Sequence, residues 1–232
     1  MEEELINRKL IIGRKLTRKE AGLLDDCKEI IDVTGKELAF GKSFESLGKE
    51  GFVIFYIIQA CYDFLRGIFD LWVDRGCHSS YILARSMIEY YIEFCFLLKE
   101  DTAVRAQEYC EAWNKGREPF KKGEKFIKFR RIEDRAKSVG LLRLYKKSYK
   151  SLCSFSHVNL AGSLIARQDE KFVKDKPKFL LHIMQIYLEM LDLASKKLDI
   201  VYPNAVTNII GEKLRKFEAD PENVGERVYP NL

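Results

Sequence analysis

Apolar residues recur every three or four positions along nearly the whole chain, and no window sustains the apolar/polar alternation of a strand. The pattern predicts helices. Thr17 and Glu20 have capping-box spacing, so a first helix runs from about 18 to 40 and stops before Gly41. A second spans about 48–75, through FVIFYIIQACYDFLRGIFDLWV, and ends at Arg75-Gly76. Ser79 or Ser80 caps a third, YILARSMIEYYIEFCFLLKE, to about 100. Asp101 and Thr102 start a fourth, which Pro119 and Gly123 break. A basic helical stretch over about 124–138 is interrupted near Gly140, and LLRLYKKSYKSLCSF makes another helix to about 155. The segment 158–176 reads as a loop. Pro177 then suits the first turn of a long amphipathic helix, and Pro203 and Asn204 open a short one to about 217. Without repeats or a linker, the reading is an all-α fold. It is a single multi-helix bundle over 1–217 with a loosely ordered tail over 218–232.

The two most apolar helices should form a central antiparallel pair, since a short turn around 76–79 joins them, and the first should be fully buried. Both carry charge at helical spacing: Gln59, Asp63, Arg66 and Asp70 on one, and Arg85, Glu89 and Glu93 on the other. An antiparallel register sets Asp70 opposite Arg85 and Arg66 opposite Glu89, an ion-pair ladder fixing how the helices meet. It also brings Asp63 near Glu93, so that the two diverge, one carboxyl is raised, or a cation sits between them. Facing Glu-x-x-His pairs, the mark of a carboxylate-bridged metal pair, do not occur, so no metal and no cofactor are expected.

Composition narrows the class. Of 232 residues, 47% are hydrophobic and 32% charged, which excludes a disordered chain. The window 52–73 is long enough to span a bilayer, but Asp63, Arg66 and Asp70 would each cost about 2.5–3.5 kcal/mol at its centre, so no membrane partner is expected. MEEELINRKL does not read as a secretory signal. The six cysteines are scattered, with no C-x-x-C pair, which fits thiols in a reducing, cytoplasmic compartment.

Charge is local. Residues 115–150 hold fourteen Lys/Arg against four Asp/Glu, a balance of +10 in a chain of net +5. Lys121, Lys122, Lys125, Lys128, Arg130, Arg131, Lys146, Lys147 and Lys150 are the candidate nucleic-acid-binding residues. Phe120, Phe126, Phe129, Tyr145 and Tyr149 interleave with them. Exposed, they would stack on bases; turned inward, they would leave the cations as a solvated face. His157 closes this region and is the candidate general acid/base, or else a hydrogen-bonded residue at a helix end. Of the other histidines, His182 should be core or interfacial and His78 exposed.

Arg85-Ser86-x-x-Glu89 and Tyr149-x-x-Leu152-x-x-x-x-His157 together resemble a mostly prokaryotic family catalogued only as a domain of unknown function, over roughly residues 50–160. Cys153 stands where that family has a serine. The helical architecture and basic surface also resemble, more distantly, the HEPN group of helical RNases, but their Arg-x(4–6)-His motif is missing here. A site of that kind would have to draw Arg85, Glu89 and His157 from different helices. Two readings follow. One is a non-catalytic helical module that binds RNA, a nucleotide or another polyanion through 115–150, with homodimerisation through amphipathic helices. The other is a metal-independent, HEPN-like ribonuclease or nucleotide-processing enzyme of defence or toxin type, using Arg85 and His157.

Overall fold

A computed structural model describes residues 18–38, 48–74, 80–120, 124–150, 152–153 and 176–220. They form an all-α bundle. Its helices are α1 (Arg18–Leu38), α2 (Gly48–Asp74), α3 (Ser80–Lys99), α4 (Thr102–Asn114), α5 (Ile132–Ser138), α6 (Leu142–Leu144), α7 (Lys176–Leu198) and α8 (Asn204–Glu218). A 3-10 helix, Glu124–Phe129, precedes α5, and α6 runs straight into a π-helical turn, Tyr145–Tyr149. The basic stretch expected as one helix is thus split at Arg130 and Arg131.

Two helix ends have clear local causes. After α4, Gly116 adopts φ 57, its N–H donates to the Trp113 carbonyl and the Arg117 N–H to that of Ala112. After α5, Gly140 (φ 79) donates to Lys137 and Leu141 to Ala136. Both are Schellman closures built on a left-handed glycine. Gly140→Ala should therefore cost about 1–2 kcal/mol, read as a lower urea midpoint with unchanged slope. Asp101 departs from expectation: it precedes α4 in the left-handed region (φ 46), and its side chain caps nothing.

The centre of the bundle lies elsewhere than composition suggests. α2 packs on α1, α3, α4 and α7 through Val53, Ile54, Ile57, Ile58, Cys61, Leu65 and Ile68, while Phe52, Asp63, Arg66 and Asp70 stay exposed. The helices closed to water on all sides are α3 over 91–98 and α7 over 183–191. They are joined where the Tyr91 hydroxyl donates to Glu189 Oε2 at 3.0 Å. By length and composition alone, Gly48–Trp72 of α2 could also cross a membrane.

The ion-pair ladder between α2 and α3 does not form. Arg85 pairs instead with Glu89 on its own helix, at 3.7 Å. Glu93 turns inward to Arg135 of α5 at 2.5 Å, away from the exposed Asp63. At the far end of the chain, Lys213 of α8 is buried between Asp26 (3.0 Å) and Glu29 (2.5 Å) of α1. Asp220 of the expected tail pairs with Lys19 at 3.1 Å; 221–232 lie outside the described residues. Cys27, Cys61 and Cys95 are buried thiols, with burial pushing each well up.

Candidate functional site

Two sequence motifs more than fifty residues apart meet at the outer face of α3. Arg85 and Glu89 lie one turn apart there, and the π turn brings Tyr149 between them. Arg85 Nη2 donates to the Tyr149 hydroxyl at 3.1 Å, and that hydroxyl donates to Glu89 Oε2 at 3.1 Å. Burial, with Glu89 alongside, pushes the Tyr149 phenol up to about 12 against the pull of Arg85, so it keeps its proton. Arg85 also hydrogen-bonds Cys153, and its Nε is buried without a hydrogen-bond partner. The Arg85 and Glu89 side chains are 29% and 37% exposed, so solvent reaches both.

The same ring anchors a stack. Tyr145 lies nearly parallel to Tyr149, centroids 5.2 Å apart; the Lys150 ammonium is 5.3 Å from the Tyr145 centroid and the Arg85 guanidinium 5.2 Å from that of Tyr149. Two aromatic rings are thereby capped by a cation on each side. Residues four apart are neighbours on one helix face, which lets the two rings stack; single π turns recur at functional sites.

Of the candidate polyanion contacts, Lys128, Arg130, Arg131, Lys146, Lys147 and Lys150 are all exposed. At Tyr145 burial raises the phenol, Glu133 and Asp134 add to the rise, and Arg131 opposes it. Acidic groups therefore share this surface. The interleaved aromatics do not serve as a stacking platform. Phe120, Phe126 and Tyr149 are buried, and Phe129 packs on Phe96 with centroids 5.0 Å apart. They pin the stretch to the core and turn its cations outward. Lys121, Lys122, the Lys125 side chain, His157 and His78 lie outside the described residues; His182 is half-buried on α7.

Sequence reasoning missed an aromatic cleft between the start of α2 and α4. Phe52 is 67% and Trp113 58% exposed, and both line it. The available signal was Trp113 followed directly by the polar run NKGRE, which leaves it no apolar neighbour one turn downstream. Glu93 was expected to approach Asp63; it pairs instead with Arg135, and its carboxyl is pushed up to about 7 by burial, Arg135 pulling it back and Glu89 and Glu118 adding to the rise. Among the described residues, no three His, Cys, Asp or Glu cluster as metal ligands would. Comparison with protein-family models, with curated proteins and with solved structures returns no match.

Proposed function

We propose that the chain is a non-catalytic helical module that binds a nucleic acid or another polyanion through the basic face of residues 115–150. What supports this reading is the division of labour within that stretch. Phe120, Phe126, Phe129 and Tyr149 are spent on the core, while six of the candidate cations, Lys128, Arg130, Arg131, Lys146, Lys147 and Lys150, stand in water. Neutralising phosphates requires exposed, closely spaced cations and no other chemistry. Buried thiols at Cys27, Cys61 and Cys95 suit a reducing, cytoplasmic setting. The reading takes α2 and α3 as an antiparallel pair, supported by Phe64 against Tyr90 (centroids 5.5 Å) and Gly67 beside Leu83, contacts that run in opposite senses along the two helices.

The test is the salt dependence of binding to single-stranded RNA. Each phosphate contact contributes roughly −0.7 to the slope of log affinity against log salt for a single strand. Arg130→Glu with Arg131→Glu should flatten that slope by about 1–2 and weaken binding at low salt. A flat salt response in the unaltered protein would sink the reading.

A second reading, a metal-independent ribonuclease, is favoured by one observation: Arg85, Glu89 and Tyr149 converge on α3 within reach of solvent, beside a π turn. In it, Arg85 would stabilise developing negative charge and His157 would move the proton. RNA cleavage lost in both Arg85→Ala and His157→Ala, with unfolding midpoints retained, would favour the enzyme over the module.

A further inference from the structure

We propose that the cleft between the start of α2 and α4 binds an uncharged planar ring, of the size and edge chemistry of a nucleobase. The proposal goes beyond the polyanion reading, because nothing in this cleft requires a phosphate. Its volume, about 340 Å³, is at the lower end of the range for small-molecule sites. Three aromatic side chains line it: Phe52, Tyr56 and Trp113. Tyr56 and Trp113 meet nearly at right angles, centroids 4.7 Å apart and planes at 87°, which makes a corner walled by π faces. Large aromatics left this open to water at one place mark a surface that gains by being covered.

The charges along the rim decide what can cover it. Lys49 Nζ donates to Gln107 Oε1 at 3.2 Å, and Gln107 Nε2 donates to Glu111 Oε1 at 3.0 Å. One cation and one anion of the lining are thus tied through a single amide, whose orientation they fix. Hydrogen bonding from Gln107 and the charge of Lys115 hold the Glu111 carboxyl below its ordinary range, so it stays anionic. The lining's one cation and one anion offset each other, so the rim gives an entering ion of either sign no net electrostatic gain. A neutral ring needs none. It would stack on Trp113 and offer its edge to Asn114, whose amide has no partner among the described residues and carries both a donor and an acceptor.

Adenosine, which has the ring and no phosphate, is the probe. Calorimetric titration should show saturable binding that is unchanged between low and high salt. Trp113→Ala and Phe52→Ala should each weaken it by about tenfold or more, stacking on an aromatic being worth that much per base. Both side chains are mostly exposed, so thermal melts should match the unaltered protein. No saturable heat at millimolar adenosine, or equal affinity in the variants, overturns the proposal. So does a dimer in sedimentation that Trp113→Ala dissociates, because the corner would then be an interface between copies of this chain. Heparin titrated into the same samples reads the basic face separately. Heparin binding lost with adenosine binding kept would end the polyanion reading alone, and the converse would end this one.

Discussion

Arg135→Ala is expected to cost about 3–5 kcal/mol at pH 8, and distinctly less at pH 5. The Arg135 side chain is 7% exposed and holds Glu93, 11% exposed, at 2.5 Å. Its Nη1 also donates to the Phe129 carbonyl at 2.7 Å and the Arg130 carbonyl at 3.3 Å, fastening the end of the 3-10 helix. Removing the guanidinium leaves a buried carboxylate facing Glu89 and Glu118 with no cation to offset burial. At pH 8 that charge must be carried or a proton taken up at a cost. At pH 5 the carboxyl is already protonated, and the charge part of the loss disappears.

The sign in the unaltered protein follows from the same group. Glu93 titrates near 7 in the fold against 4.5 when free, so the folded state binds the extra proton. Its contribution to stability is full below about 4.5 and is lost as pH rises through about 7. Glu93→Gln, uncharged at any pH, should flatten the profile in that window. Urea unfolding at pH 5 and pH 8 separates the cases. An equal loss for Arg135→Ala at both pH values would mean that packing, not charge, sets its cost.

These two residues also mark where sequence legibility ended. Helix positions could be read because their causes are local: Ser80, Pro203 and the apolar periodicity place α3, α8 and α7 almost where they are found. Partners could not, because they are set by tertiary contact. The register argument gave Arg85 to Asp70 and Glu89 to Arg66. It lost to a neighbour one turn away and to Tyr149, supplied from sixty residues downstream. Apolar content misplaced the fully buried helix for a similar reason. α2 is greasier overall, yet its charges share one face with water, whereas the carboxylates of α3 find Tyr149 and Arg135. In the site, Arg85 and Glu89 were legible as a motif, and Tyr149 was quoted beside them only as the start of the second motif. The π turn that aims it depends on how 145–149 settle against α3, which helical periodicity does not encode.

Phe120→Ala is expected to cost about 3–5 kcal/mol, the range for deleting a fully buried ring. Phe120 is 0% exposed and meets Phe96 and Phe126 edge-on, each with centroids 5.1 Å apart. It reaches that position through a backbone at φ 59, a region that bulky residues avoid. The conformation is held by its N–H donating to Glu108 Oε1 at 3.3 Å, with Glu108 gripped by Arg117 at 2.7 Å. Two consequences distinguish this site from an ordinary core position. Glycine tolerates positive φ and alanine does not, so Phe120→Gly should be no less stable than Phe120→Ala, the reverse of the usual order. Arg135 also lies 5.8 Å from the Phe120 centroid, so the Phe120→Ala/Arg135→Ala double variant should lose about 0.5–3 kcal/mol less than the two single losses combined. Because the ring and the guanidinium together pin the 3-10 helix and the Arg130–Arg131 break, each single variant should also flatten the salt dependence of RNA binding by its folded fraction. Strict additivity in urea unfolding, with the salt slope untouched, would show that the basic face does not depend on this anchor.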